Sequence, residues 1–303
     1  MRTLLAAMLA LLLSSMAAAQ TGLERFERDI KPQIDLQTFT YKSASTLGDQ
    51  GFVLNDVVAV MPANPATGDK ESRLRIDKVT VEALDFERMK KLNDDDMPRF
   101  AKLRLEGVSG DEEMFAALDP YGIPRVPVDV DIDYRLDGAA KVFSLNKLEI
   151  SLRGQARIGL SLLLDGVSDK SSEVVGAKDD GRLRALSLTV DDSGLLAKLL
   201  PAIAKEQGQS ADSVVALALV SIAAFTDGQG PPTLKALDAI ASFVGDWQAP
   251  KGALLIGLKP AKTASMADLE KVLEPNALVN VFGLSAAYPG TREGAAKAGP
   301  AIK

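Results

Sequence analysis

FVLNDV, at residues 52–57, reads apolar, any residue, apolar, two polar residues, then apolar again. The phrase returns as LRIDKV (74–79), LRLEGV (103–108), FSLNKL (143–148) and LLLDGV (162–167). Strand side chains alternate faces, so residues two apart share a side. Phe52 and Leu54 share a face, while Val57, three residues past Leu54, points the other way in a straight strand. The same slip separates Ile76 from Val79, Leu105 from Val108, Leu145 from Leu148 and Leu164 from Val167. An extra residue that returns the apolar side to the core is a β-bulge, which bends the strand and increases its twist. Gly107 and Gly166 fall where a bulge asks for positive φ. The alternative is a strand that ends at each polar pair in a turn, which Glu-Gly and Asp-Gly also suit. Bulges imply a sheet that is concave on its apolar side.

Working outward, residues 20–191 are mainly strands. Segments near 36–44, 52–61, 72–84, 99–108, 127–136, 141–152, 156–165 and 182–190 alternate apolar and polar, as a sheet with one covered face does. A helical turn or two fits at 23–30, and short helices fit at 86–92 and 111–118. PYGIPRVP (120–127) continues neither ladder nor helix, and 170–181 reads as a solvated loop. Residues 192–248 change to helical spacing, with segments at 193–206, 210–225 and 233–247 separated by glycines at 208 and 228–230. Pro201 is expected to kink or restart the first of these.

The third segment carries Leu234, Leu237, Ile240, Ala241 and Val244 on one stripe, an amphipathic pattern facing a core. The second, ADSVVALALVSIAAF, is apolar nearly all round and reads as a buried core helix. Contact with a lipid or a membrane surface is the alternative, since the run is too short to span a bilayer. Residues 249–289 read as a small β-α-β closing unit, with Ser265 and Asp268 as a capping box, and 290–303 as a frayed tail. The expected fold is α+β: a strongly curved, mainly antiparallel sheet with β-bulges, packed on a C-terminal helical layer. Either those helices fill the concave face or an apolar ligand does.

Residues 1–19, MRTLLAAMLALLLSSMAAA, have an early cation, an apolar run and small residues at the end, the layout of a cleavable signal peptide cut before Gln20. The run is too short for a membrane span, and no cysteine follows the cut to carry a lipid. The expectation is an exported, periplasmic protein with no transmembrane span after cleavage. The 35 Lys+Arg stand against 41 Asp+Glu, and loss of Arg2 with the leader makes that 34 against 41, a charge of −7. Such an acidic chain is a poor partner for nucleic acid. With no cysteine it has no disulfide framework. With no histidine it lacks the usual general base near neutral pH and the common ligands of zinc and copper. Carboxylate chemistry, Ser/Lys chemistry, oxygen-ligated metals and binding without chemistry remain.

VDVDIDYRLDG (128–138) is the most tempting cluster, because Asp129, Asp131 and Asp133 are two apart on one strand face. It resembles the start of an EF-hand loop, but Tyr134 and Ala140 stand where that loop needs Gly and Glu. Neighbouring carboxylates spaced by two strand residues lie roughly 6.6–7 Å apart, too far for one ion without convergence. The three are read as a solvated outer face, with a weak Ca²⁺ or Mg²⁺ site as the alternative. Asp94, Asp95 and Asp96 form an acidic loop of the same kind. Ser144 and Lys147 match the Ser-x-x-Lys spacing of serine acyl-transferases, but in a straight strand they point to opposite faces. Trp247 and Tyr288 read as packing anchors. No cofactor site and no catalytic residue is singled out.

The repeated apolar-x-apolar-polar-polar-apolar strands, from Phe52 to Val167 behind a signal sequence, resemble the AsmA-like and related β-rich envelope proteins of Gram-negative bacteria. AsmA-like proteins are usually larger and membrane-anchored, and no site residue transfers to this chain. The resemblance implies a periplasmic protein of envelope or lipid upkeep. The functional expectation is a non-enzymatic protein that binds a lipid or other apolar ligand between sheet and helices. Its alternatives are an assembly module with a solid core that binds an envelope protein, and a carboxylate-dependent hydrolase.

Overall fold

In a computed structural model the structure describes residues 20–63, 70–90, 96–111, 116–170 and 181–291. The leader, Asp94, Asp95 and most of the tail lie outside them. A short helix α1 (Gly22–Arg25) continues through a π-helical turn (Phe26–Ile30) and a 3₁₀ turn (Lys31–Gln33). Then come β1 (Thr38–Thr40), β2 (Ser43–Leu47), β3 (Gly51–Met61), β4 (Ser72–Leu84), α2 (Phe86–Met89) and β5 (Phe100–Gly110). After a 3₁₀ turn (Ala116–Tyr121) follow β6 (Val128–Asp137), β7 (Val142–Leu152), β8 (Ala156–Asp165) and β9 (Arg182–Asp192). Three helices, α3 (Leu196–Glu206), α4 (Ala211–Ala224) and α5 (Pro231–Gly245), precede β10 (Ala253–Leu258) and β11 (Ala264–Ser265). A 3₁₀ helix (Met266–Leu273), α6 (Ala277–Asn280) and β12 (Leu284–Gly290) complete the order.

The strands form one sheet in the order β1-β3-β4-β5-β6-β7-β8-β9-β10-β12, with β2 beside β1 along β3 and β11 against β9. Every pairing is antiparallel. The path is open, running from β1 to β12. β10 joins β9 directly, so the strands after the helices extend the same sheet.

The repeated phrase lies inside continuous strands in four of its five copies, with no chain reversal at Asn55, Asp77, Glu106 or Asn146. In β3, β4 and β5 the slips face one another. Leu54 pairs with Val79 and Val57 with Ile76, and the register passes through unchanged. β6 alternates without a slip, so its neighbours must each carry one residue more. Leu105 pairs with Val130 but Val108 with Val128, which sets Glu106 and Gly107 against Asp129 alone. On the other side Lys147 pairs with Asp133 and Leu145 with Tyr134, leaving Asn146 as the extra residue of β7. β8 sees the same surplus in β7.

Asp56 (φ 51°) and Gly107 (φ 68°) hold the left-handed conformation in two of these slips. A short polar side chain tolerates it and glycine adopts it freely. At Gly107 a side chain is excluded twice over, since a Cβ there would lie 1.9 Å from an Asp77 carboxylate oxygen. The fifth copy resolves the other way. β8 stops at Asp165, and Gly166 (φ 79°) turns the chain out of the sheet. Two register shifts without the phrase occur at Glu82 in β4 and Arg184 in β9.

Helices pack on the sheet near its two ends. Among the described residues α1 contacts β2 and β3, α5 contacts β12 and β10, and α6 contacts β12. At the first end Phe26 stacks on Phe52, ring centroids 4.5 Å apart, with Ile30, Leu54, Val57, Ile76, Val81 and Phe86 closing the cluster. Gly22 makes that approach feasible, because a Cβ on it would lie 2.3 Å from the Gly51 carbonyl oxygen. At the other end Phe243 of α5 meets Tyr288 of β12 edge-on at 5.4 Å. Trp247 is buried nearby, and the Tyr288 hydroxyl donates to Asp246 at 2.8 Å.

α3 runs on through Pro201, which lacks the N–H for the Ala197 carbonyl, so the helix is not restarted there. It begins at the end of β9, touches the 3₁₀ turn before β6, and bonds the β7–β8 turn through Lys198 and Gln155. It therefore crosses the strand ends rather than running along them. α4 packs against α3 and α5. It is not a buried core helix: only Val215 is buried, while Leu217 is 61% and Val220 65% exposed. The expectation failed because an all-round apolar sequence says nothing about how many neighbours the topology supplies.

Candidate apolar binding face

The slips align one apolar face across the sheet. Leu54, Val79, Leu105, Val130, Ile150, Ile158, Val190 and Leu254 form one register row across eight strands. Phe52, Val81, Leu103, Ile132, Leu148, Leu160, Leu188, Ile256 and Ala286 form the next. At adjacent-strand spacing the first row spans roughly 34 Å.

Burial changes along these rows. Leu54 (1% exposed) and Leu254 (5%) are covered at the two ends, whereas Ile158 in the middle is 38% exposed. Val130, Ile132, Leu148, Ile150, Leu160 and Leu188 are partly exposed. Aliphatic side chains in the middle of a wide sheet are normally covered by another layer. Here the covering elements stand near the ends.

The opposite face is charged, and it holds the three aspartates singled out by sequence. The Asp129 carboxylate accepts from Arg153 at 2.7 and 2.9 Å and from the Gly107 backbone N–H at 2.7 Å. Asp131 accepts from Lys147 at 2.6 Å and Arg104 at 2.9 Å. Asp133 accepts from the Asn146 amide at 3.0 Å. The Arg153 hydrogen bond holds the Asp129 carboxyl below the usual carboxylate range. Burial pushes Asp131 up, but Lys147 and Arg104 together outweigh it and leave that carboxyl lowered.

Asp129 and Asp133 thus serve the bulges of the neighbouring strands, satisfying a backbone N–H and a side-chain amide that the extra residues present. Cations and amides occupy the oxygens a metal ion would need. Among the described residues no group of three acidic side chains converges. Sequence could have shown the bulge role, because Asp129 faces the slip of β5 once the strands are paired in order.

The bulge also changes the reading of Ser144 and Lys147. Ser144 pairs with Arg135 and Lys147 with Asp133, two residues apart on β6, so both lie on the charged face. The extra residue reverses the parity expected of a straight strand. They do not form a dyad: the Ser144 hydroxyl donates to Asn146 at 3.0 Å and the Lys147 ammonium is held by Asp131. Asp96 is paired with Lys170.

A family model described as "Uncharacterized protein" matches residues 130–289, more than half of the chain. The chain belongs to this family. The matched region runs from β6 to β12 and includes the open middle of the face and α3 to α5; α1 and the aromatic cluster around Phe26 precede it. No curated protein matches the chain.

Proposed function

We propose that this is an exported, periplasmic envelope protein that holds a lipid acyl chain or similar apolar ligand on the open middle of its sheet, without catalysing a reaction. The observation that supports it is the pair of register rows covered at both ends and partly exposed between them. Each methylene of a ligand buried there contributes about 0.8 kcal/mol, so some ten methylenes give about 8 kcal/mol before ordering costs. In this reading the bulges curl the sheet, the apolar face becomes the inside of a trough, and α3 to α5 form a layer that closes one end. The leader and the AsmA-like pattern of the strands agree with a place in the envelope.

A second reading has its own observation. α4 carries no charge after Asp212 and turns Leu217 and Val220 outward, as a helix that meets an apolar partner does. It is the assembly-module alternative, with an envelope protein or a lipid surface on α4. Among the described residues no helix is long and apolar enough to cross a membrane.

Organic extraction of the natively purified protein, followed by mass spectrometry, separates the two readings. The ligand reading expects a chain-bearing amphiphile in near-stoichiometric amount. A reproducibly empty protein that instead retains a protein partner supports the second.

A further inference from the structure

We propose that the cleft at the rim of the apolar face, between Arg99 and Arg135, binds an anionic carboxylate or phosphate group. Its use as a head-group site rests on the ligand reading above, whereas its affinity for the anion does not. The cleft measures about 480 Å³ and is lined by Arg99, Phe100, Arg135, Leu136, Asp137 and Asp169, with Gly138 and Ala139 in its floor. It lies where β5 begins and β6 ends, with Arg135 paired to Phe100 and the Leu136 N–H donating to the Arg99 carbonyl at 2.6 Å.

Three observations point to an anion. Arg99 and Arg135 are both exposed, and neither guanidinium has a hydrogen bond or ion pair among the described residues. Most other arginines of the sheet, such as Arg104, Arg153 and Arg184, are paired with carboxylates. The two acids of the cleft are already engaged: Asp169 accepts from Arg88 at 2.6 Å, and Asp137 accepts the Ala140 N–H of its own turn at 2.9 Å. Three guanidinium groups thus face two carboxylates, a local positive excess in a chain of net charge −6. A planar guanidinium matches carboxylate and phosphate oxygens with parallel hydrogen bonds.

Leu136 ties the cleft to the apolar face. It follows Ile132 and Tyr134 on that side of β6, pairs with Phe143, and is only 4% exposed. An amphiphile whose head group sits between the arginines can lay its chain past Leu136 onto the rows of leucines.

Calorimetry with dodecanoate, dodecanol and inorganic phosphate, below micellar concentrations, tests this on the full chain and on Arg99→Gln/Arg135→Gln. Both arginines are exposed, so the variant should fold, and circular dichroism checks that it does. The expected result is dodecanoate bound on the order of ten-fold more tightly than dodecanol. That preference should vanish in the variant with dodecanol binding unchanged, and phosphate should compete with dodecanoate. A preference that survives in the variant overturns the proposal. If the wild type binds neither chain compound, the ligand reading fails by itself. Phosphate binding that the variant loses then supports a free-anion site, and no phosphate binding overturns the site as well.

Discussion

Leu54→Ala is expected to lower the unfolding free energy by about 3 kcal/mol, whereas Ile158→Ala should change it by less than about 1 kcal/mol. The two residues occupy the same register row on the same face, and they differ in what lies over them. Leu54 is 1% exposed beneath the cluster built by Phe26, Ile30 and Phe86, so its truncation leaves a cavity that the rigid sheet cannot close. Ile158 is 38% exposed, and its truncation removes surface already in contact with water. Urea denaturation of both variants reads the difference directly. Equal losses would mean that the middle of the sheet is covered as thoroughly as its end.

The second large effect concerns binding. Leu188→Lys is expected to abolish retention of dodecanol or of a co-purified amphiphile, lowering affinity by at least ten-fold, while stability falls by only about 1 kcal/mol. Leu188 lies between Leu160 and Ile256 in the second row and is partly exposed. A lysine there can carry its ammonium to water along its own aliphatic stem, so the sheet tolerates it. A bound chain would have to displace that ammonium or lie against it. Thr189→Lys, one residue along and on the opposite face, is the control and should leave binding intact. Binding that survives Leu188→Lys would move the ligand off this face.

Much of the sheet was legible because strand periodicity and turn chemistry are local. The expected strands at 72–84, 141–152 and 156–165 match β4, β7 and β8 to within a residue. The odd step in the repeated phrase marked the positions where register shifts in β5 and β7, and Gly107 has the positive φ its place required. The helices α3 to α5 were equally plain, since glycines punctuate them.

What escaped depends on contacts between distant segments. The stacking of Phe26 on Phe52 joins residues whose proximity follows only from where α1 docks, and that docking covers one end of the face. The exposure of α4 depends on which elements neighbour it, a property of topology and not of its own sequence. The parity of Ser144 and Lys147 was misjudged although the slip between them had been noticed, because the rule for a straight strand was carried through a bulge. As for the candidate site, its residues were visible as apolar positions, but nothing local distinguishes a leucine under a helix from one open to water. Arg99 and Arg135 gave no signal either, since a cation without a carboxylate is recognised only once every partner has been placed.

The account stands on an apolar face that is sealed near its ends and accessible between them, and the absence of native cysteine allows a clean measurement. Single variants Leu188→Cys and Leu54→Cys, treated with a maleimide under native conditions, report that accessibility residue by residue. The account expects Leu188→Cys to react in the folded protein at a rate near that of an exposed thiol and Leu54→Cys to react only on unfolding. Protection of Leu188→Cys equal to that of Leu54→Cys in the ligand-free protein would contradict it.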